Sequence, residues 1–176
     1  MPIPKKIIFL DRDGVINYEV GYLYEISKFK FIEGVFETLD YLRKLDYEFI
    51  IITNQSGIAK GKYSVADYHR LEKWIMKQFL KKNIKILNIY FCPHNPEDNC
   101  KCRKPKPGLI LNAFETYTID KENSWMVGDK ETDIECAQNA GITNTVLVRS
   151  GHQIDETKTN ASYVLDSIRD LRKIIL

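Results

Sequence analysis

Two pairs of acidic residues have the spacing needed to gather carboxylates around a metal ion. Asp11 and Asp13 lie two residues apart, and Asp129 and Asp133 lie four apart. Residues two apart share a face of an extended chain, and residues four apart share a face of a helix. Either pair alone is as compatible with a turn or a helix cap. Together they predict a crevice where Mg²⁺ offsets the repulsion between carboxylates.

Two further segments carry groups suited to phosphate. Thr53 begins a polar, glycine-containing loop, TNQSG, whose backbone N–H groups suit phosphate oxygens. Residues 102–108 form a basic, proline-stiffened loop, CRKPKPG. In it, Lys104 is suited to hold a phosphate as a point charge, and Arg103 to grip a second anionic group with two hydrogen bonds. Each loop alone resembles an ordinary surface loop, but beside the carboxylates both favour phosphate chemistry.

Four soft donor side chains form a third cluster. Three cysteines and one histidine fall close together in the chain: Cys92, His94, Cys100 and Cys102. This set matches the ligands of a tetrahedral structural Zn²⁺ site, which leaves no position for a reacting water. We therefore expect zinc to staple this loop and position the adjoining basic loop rather than catalyse. Cys136 is expected in a helix core. His152 lies in a glycine-containing loop after Arg149 that could border the site, and it is assigned no role.

The elements that must position these motifs follow from hydrophobic pattern. Continuous apolar runs predict strands buried on both faces, at residues 6–10, 48–53, 86–91, 125–127 and 145–148. Helical spacing lies between them, including residues 108–117 and 131–141. This alternation predicts a three-layer, Rossmann-like α/β fold, with a parallel sheet, helices on both faces and no large cap domain. Sites in such sheets form at the carboxyl ends of the strands.

Composition sets the outer limits. The chain has 176 residues, which suits one domain over residues 1–176, and 44% hydrophobic with 28% charged residues is ordinary for a globular protein. A net charge of +2 favours neither nucleic acid nor a membrane surface as partner. Apolar runs are far shorter than the roughly 20 residues that cross a bilayer, and no secretory signal is evident. We expect a cytoplasmic monomer with a small-molecule substrate.

The order of the motifs resembles the haloacid dehalogenase-like phosphatases. The matching pieces are DRDGVIN at 11–17, Thr53, Lys104 and GDKETD at 128–133. The resemblance, which spans about residues 6–148, implies a nucleophile, a general acid and base, a Mg²⁺ site and a phosphoryl clamp. These roles would fall on Asp11 as nucleophile, Asp13 as acid and base, Asp11, the Asp13 backbone and Asp129 as Mg²⁺ ligands, Asp133 as a supporting carboxylate, and Thr53 and Lys104 as the clamp.

Within that superfamily, the sequence is most similar to the heptose bisphosphate phosphatase branch. The similar segments are GYLYEI at 21–26, TNQSGIAKG at 53–61, CPH at 92–94, CKCRKPKPG at 100–108 and MVGDK at 126–130. The resemblance implies hydrolysis of the 7-phosphate of D-glycero-D-manno-heptose 1,7-bisphosphate through an aspartyl-phosphate, in the pathway to lipopolysaccharide or surface-layer sugars. The expected substrate contacts are Arg12, Glu19, Val20, Gly21, Tyr22, Asn54, Gln55, Ser56, Arg103 and Lys130. The short insert between His94 and Cys100 departs from the branch pattern.

Two other functions stay open at this point. A histidinol-phosphate phosphatase shares the core and the type of zinc loop, but Arg103 and Lys130 would repel its cationic substrate. A receiver-type phosphoacceptor domain also uses Asp, Mg²⁺, Thr and Lys, yet its acidic pair and its phosphorylated Asp lie on different strands. Asp11, in contrast, lies inside the acidic pair of the first strand. Comparing turnover of the heptose bisphosphate with that of histidinol phosphate distinguishes the two enzymes. A long-lived acyl-phosphate without repeated turnover would indicate the receiver domain.

Overall fold

A six-stranded parallel sheet forms the centre of the computed structural model, which describes residues 3–176. The strand order is β3-β2-β1-β4-β5-β6, and every pairing is parallel. The strands are β1 (Lys6–Leu10), β2 (Tyr47–Asn54), β3 (Ile86–Cys92), β4 (Trp125–Gly128), β5 (Asn144–Val148) and β6 (Tyr163–Leu165). The crossovers run outwards in opposite directions from β1 and β4. A crevice therefore opens at the carboxyl ends of these two central strands.

Four helices connect the strands. They are α1 (Val35–Arg43), α2 (Val65–Lys81), α3 (Gly108–Thr116) and α4 (Glu131–Asn139). Helix α2 begins at Ser64, whose hydroxyl accepts the Asp67 N–H while the Asp67 carboxylate accepts the Ser64 N–H, each at 3.0 Å. This reciprocal pair satisfies backbone donors that a helix start leaves free. Three short 3-10 turns complete the chain, at Ile26–Lys28, Pro96–Asp98 and Ile168–Lys173.

Alternating strand residues supply the two faces of the sheet. Ile8 shares a buried cluster with Leu39 of α1 and Leu71 of α2. Its neighbour Ile7 shares the second cluster with Ile110 of α3 and with residues of α4. Because successive strand side chains point to opposite faces, this division places α1 and α2 on one side and α3 and α4 on the other. The predicted three-layer α/β fold is confirmed.

Differences from the predicted elements lie at the carboxyl-terminal end and in the connections. All five predicted strands are present, whereas β6 and the turn at Ile168–Lys173 were not predicted. No separate cap domain interrupts residues 3–176, as expected, and the crevice is bordered by the loop between β1 and α1. None of the helices in that described range combines the length and apolar character needed to cross a membrane.

Candidate active site

Three buried carboxylates meet at the carboxyl ends of β1 and β4. Leu10 and Val127 are register partners, so the residues that follow them leave the sheet side by side. Asp11 comes directly after β1, Asp129 after β4, and Asp133 returns from the first turn of α4. Oxygens of these three carboxylates all lie within 4.8 Å of one another, and the side chains are buried. Three of the four carboxylates in the acidic motifs therefore converge as predicted, and Asp13 borders the same crevice.

This acidic cluster fits a divalent cation. Burial first, and then the nearby charge of Asp133, raises the pKa of Asp11 well above its usual value. Asp129 Oδ1 is fully buried and finds no hydrogen-bond partner among residues 3–176. An acceptor oxygen in that situation is costly unless a cation or donor supplies the missing contact. Clustered carboxylate oxygens are the ligands that Mg²⁺ prefers, so the residues present suit this metal.

Lys104 places a positive charge inside the acidic cluster. Its Nζ lies 2.9 Å from Asp11 Oδ1 and 2.7 Å from Asp133 Oδ1, and it donates to the carbonyl of Ile52 at 3.0 Å. Burial alone would lower the pKa of Lys104, but the two carboxylates raise it above its ordinary value. The side chain thus stays cationic, aligned beside Asp11.

Asp13 is held by a separate set of donors. The guanidinium of Arg12 donates to both of its oxygens, at 2.9 and 3.0 Å, while Asn17 and Gln55 donate at 3.0 and 3.1 Å. Burial alone would raise the pKa of Asp13, but Arg12 and these hydrogen bonds lower it below the usual value. Arg12 is 1% exposed and also donates to the carbonyl of Leu23. It lies behind Asp13 as a support.

The polar loop after β2 is joined to the basic loop. Asn54 Oδ1 accepts the N–H of Lys104 at 3.1 Å, and its Nδ2 donates back to the Lys104 carbonyl at 3.3 Å. Gln55 Nε2 donates to Thr53 Oγ1 at 2.8 Å, and the Tyr63 hydroxyl donates to Gln55 Oε1. Burial raises the pKa of Tyr63 to about 12, which keeps this donor neutral. The polar loop after β2 and the basic loop therefore form one hydrogen-bonded unit.

The cysteine and histidine cluster has the dimensions of a metal centre. Sulfur atoms of Cys92, Cys100 and Cys102 and Nδ1 of His94 all lie within 4.8 Å of one another. Nδ1 is 3.4 Å from Cys92 Sγ and 3.3 Å from Cys102 Sγ, and Cys92 and Cys100 sulfurs are 3.5 Å apart. Tetrahedral zinc with Zn–S bonds of about 2.3 Å needs ligand separations of roughly 3.6–3.8 Å. The separations here are shorter, down to 2.8 Å between the Cys92 and Cys102 sulfurs, so the fit to Zn²⁺ rests on the donor set and its convergence rather than on ideal spacing.

The zinc loop is tied to the basic loop that it precedes. The guanidinium of Arg103 donates to the carbonyl of His94 at 3.3 Å. Despite partial burial, the Arg103 backbone N–H and neighbouring thiols lower the pKa of Cys100 to about 7. A thiol that ionises readily is a better metal ligand. The cluster thus supports the chain directly before Lys104.

An open cleft of about 320 Å³ adjoins the acidic cluster. One wall is the loop between β1 and α1, and another is the loop after β2. Basic side chains complete it, including Lys60, whose Nζ lies 3.0 Å from the Tyr22 hydroxyl. The lining includes Asp13, Glu19, Gly21, Tyr22, Asn54, Gln55, Ser56, Lys60, Arg103, Lys130 and His152. The cleft therefore combines the carboxylate of Asp13 with several cations and polar groups.

Comparison of this chain with known sequences identifies its family. A family model described as HAD-hyrolase-like matches residues 101–171. The D-glycero-beta-D-manno-heptose-1,7-bisphosphate 7-phosphatase of Pasteurella multocida (strain Pm70) is 44% identical over 178 residues, which cover 97% of each chain. The chain belongs to the heptose-1,7-bisphosphate 7-phosphatase family. The member from Escherichia coli (strain K12) is 41% identical over 176 residues, covering 96% of this chain and 92% of the relative.

Solved structures agree with this family. The D,D-heptose 1,7-bisphosphate phosphatase from B. bronchiseptica, crystallised with magnesium and phosphate, has a TM-score of 0.84 and 26% identity, covering 96% of this chain and 97% of that one. The enzyme from Burkholderia thailandensis shares the fold, with a TM-score of 0.71 and 24% identity over 98% and 100% of the two chains. This phosphatase is therefore a phosphoric monoester hydrolase, and the receiver-type alternative is set aside.

The structure gathers most of the residues that the sequence singled out in this phosphatase. All predicted substrate contacts line the cleft except Arg12, which is buried behind Asp13, and Val20, which is 54% exposed on the rim. The catalytic roles and the Mg²⁺ ligation by Asp11, the Asp13 backbone and Asp129 stay predictions. Cys136 is buried in α4, as expected.

One residue assigned no role from the sequence reaches the acidic cluster. The backbone N–H of His152 lies 2.9 Å, and its Nδ1 2.6 Å, from Asp129 Oδ2. His152 comes shortly after β5, at the same edge of the sheet as the other site residues. That location beyond a strand end is the sequence signal that points to it.

Proposed function

We propose that this phosphatase removes the 7-phosphate of D-glycero-β-D-manno-heptose 1,7-bisphosphate and that Asp11 carries the phosphoryl group. The observation that carries the proposal is the position of Asp11, buried with Asp129 and Asp133 and 2.9 Å from Lys104 Nζ, beside a cleft lined by further cations. Relatives 40–44% identical over nearly the whole chain bear this activity in their names, which also supply the β anomer.

The first step forms a phosphoenzyme. A carboxylate oxygen of Asp11 bonds to phosphorus, the bond between phosphorus and the sugar oxygen breaks, and Asp13 gives the leaving oxygen its proton. In the free enzyme Arg12 lowers the pKa of Asp13. The charge of an arriving phosphate works in the opposite direction and favours proton uptake. Bound Mg²⁺ supplies positive charge that offsets both the clustered carboxylates and the transferring group.

The second step releases phosphate. Asp13, now ionised, takes a proton from a water whose oxygen bonds to phosphorus as the bond to Asp11 breaks. The positive charge of Lys104, whose three N–H groups point to Asp11, Asp133 and the Ile52 carbonyl, stabilises the equatorial oxygens in both steps. Thr53 Oγ1 accepts a hydrogen bond from Gln55, which leaves its own proton available to phosphate. Two easier displacements thereby replace one very slow hydrolysis.

The cations beyond the reaction centre favour a bisphosphate. Arg103, Lys130 and Lys60 line the same cleft as Asp13. A second phosphate on the sugar would meet these groups, whereas a substrate bearing an amino group would meet like charge. We propose that the enzyme acts in the cytoplasm, where thiols stay reduced and the zinc ligands stay available, in the supply of heptose for lipopolysaccharide.

A substrate comparison tests this proposal. Phosphate release with Mg²⁺ is measured for both anomers of the heptose 1,7-bisphosphate and for histidinol phosphate. We expect the β-bisphosphate to have a kcat/KM at least about 100-fold above that of histidinol phosphate, since a desolvated charge pair contributes several kcal/mol to discrimination. Equal or faster turnover of histidinol phosphate would overturn the substrate assignment and favour the alternative enzyme.

A further inference from the structure

We infer that the segment of Ser150, Gly151 and His152, the 150–152 segment, positions the metal ligand Asp129 and thereby sets the affinity of the enzyme for Mg²⁺. This segment begins two residues after β5 ends, beyond the acidic motifs themselves. The inference deepens the proposed function and rests on it only in assigning Mg²⁺ to the acidic cluster.

The two oxygens of Asp129 have different surroundings. Oδ2 lies 2.9 Å from the backbone nitrogen and 2.6 Å from the ring Nδ1 of His152. Oδ1 is buried and without a hydrogen-bond partner within the described chain. Two donors from one residue therefore fix the orientation of the carboxylate through Oδ2. The other oxygen is left for the cation.

The 150–152 segment is packed tightly onto both acidic motifs. The Ser150 hydroxyl donates to the carbonyl of Gly14, one residue beyond Asp13, at 2.8 Å. A Cβ on Gly151 would lie 2.1 Å from Asp129 Oδ2, so only glycine permits this approach. The Ser150 hydrogen bond to Gly14 and the close approach of Gly151 to Asp129 thus hold the backbone of the segment in place. The donors of His152 are therefore preorganised.

The imidazole of His152 adds a directed contact to this backbone support. Because an ionised carboxylate only accepts hydrogen bonds, the ring must carry a proton on Nδ1 to bond Asp129. The side chain is 38% exposed and borders the cleft, so it packs far less than a core residue. Its removal should therefore affect Asp129 more than the fold. Groups that orient a metal ligand in this way typically change metal affinity by about 10–100-fold.

Direct metal binding tests the inference without any sugar. Titration calorimetry with Mg²⁺, and electron paramagnetic resonance with Mn²⁺ as a probe, are applied to zinc-loaded wild type and to three variants. His152→Ala removes the ring donor, His152→Asn replaces it with an amide N–H, and Gln153→Ala changes the exposed neighbour as a matched control. Thermal unfolding and zinc content are measured on each.

We expect the Mg²⁺ Kd of His152→Ala to rise by about 10–100-fold, that of His152→Asn to return most of the way, and that of Gln153→Ala to match wild type. An unchanged Kd in His152→Ala would overturn the inference. An equal loss of Mg²⁺ affinity in His152→Asn and His152→Ala would also overturn it. The inference requires the amide N–H of His152→Asn to replace the ring donor and restore part of the affinity. Failure of the heptose assignment would show in the substrate comparison and leave these affinities unaffected.

Discussion

Lys104 is the buried cation that offsets the charge of the clustered carboxylates. It contacts Asp11 and Asp133 within 2.9 Å, and only 2% of its side chain is exposed. Buried charges are tolerated when paired and hydrogen-bonded, and the Ile52 carbonyl supplies a further partner. The same charge that offsets the carboxylates is then available to a transferring phosphoryl group. We therefore expect both folding and catalysis to depend on this one ammonium group.

Replacing Lys104 with an uncharged side chain of similar length tests this dual role. We expect Lys104→Met to lower kcat/KM by about 10²–10³-fold, because a preorganised charge beside the transition state is lost. We also expect the free energy of unfolding without added Mg²⁺ to fall by about 3 kcal/mol, since uncompensated carboxylates remain buried. Steady-state kinetics and urea unfolding measure both. Lys101→Met, at an exposed position nearby, is the control, and turnover near wild type in Lys104→Met would contradict the account.

At the scale of elements, the turn after β1 depends on a glycine for two separable reasons. Gly14 has a φ of 85°, a backbone conformation that side chains with a Cβ rarely adopt. A Cβ there would also lie 2.3 Å from Asp129 Oδ2. Gly61 has a φ of 66° too, but a Cβ there would meet no atom of residues 3–176 within 4 Å. The two glycines therefore separate backbone strain from damage to the site.

Alanine at each glycine provides the matched comparison. We expect Gly14→Ala and Gly61→Ala each to lose about 1–2 kcal/mol of stability through the left-handed backbone. Only Gly14→Ala should also lose turnover, by at least about tenfold, because the methyl group displaces the carboxylate of Asp129. Thermal unfolding and kcat at saturating Mg²⁺ measure the two effects. Equal turnover in both variants would show that the close approach at Gly14 is not needed.

The zinc loop is the second element whose role is measurable. It follows β3 and ends at Cys102, two residues before Lys104. A link that closes a loop of this length contributes about 2–3 kcal/mol, which for a chain of this size corresponds to roughly 4–12 °C in Tm. We expect zinc removal with a thiophilic chelator to lower Tm by that amount and to reduce turnover.

Metal analysis provides the control for the zinc prediction. Purified protein should hold about one zinc per chain, as four ligands in one tetrahedron require. Cys100→Ser should lose this zinc, whereas Cys136→Ala, at a cysteine in α4, should keep it. Unchanged Tm and turnover in zinc-free protein would contradict a supporting role for the loop.

The pattern of the sequence predicted the elements that carry continuous hydrophobic runs or helical spacing. The five strands and the helices between them are long enough for burial to leave a periodic signature. β6 has only three residues, Tyr163 is 44% exposed, and no such signature results. The burial of Arg12 behind Asp13 also could not be predicted from the sequence. Its hydrogen bonds to Asp13 and to the carbonyl of Leu23 depend on how the loop after β1 folds back.

The site as a whole was predictable where chemistry follows strand ends. Asp11, Thr53 and Asp129 all lie at or just after carboxyl ends of central strands, so sheet topology alone brings them together. His152 also lies just after the carboxyl end of a strand, but the residues around it in the sequence are polar and do not differ from those of an ordinary surface loop. Its bond to Asp129 spans 23 positions of sequence and required coordinates to see.

Within residues 3–176, the large exposed apolar side chains come from separate elements. They lie on α2, α3 and β6 and at Ile3 and Leu176, and a further three, Tyr18, Val20 and Tyr22, lie near the cleft. Obligate interfaces are the more hydrophobic class, so scattered apolar side chains favour a monomer. We therefore predict that light scattering gives the mass of one chain at micromolar concentration. A dimer mass that persists on dilution would contradict this. The interpretation of residues 1–176 as one domain also stays a prediction.

We expect the carboxylate of Asp11 to become phosphorylated during turnover, and acid quenching traps that intermediate. Enzyme with Mg²⁺ is mixed with heptose 1,7-bisphosphate labelled at the 7-phosphate and quenched during turnover. One portion is assayed for protein-bound label, and a second portion is reduced with borohydride and digested. We expect label on the unreduced protein and homoserine at position 11 of the reduced protein, because borohydride reduces an aspartyl-phosphate to homoserine and releases its phosphate. Phosphate release with no labelled protein, or label on another residue, would contradict it.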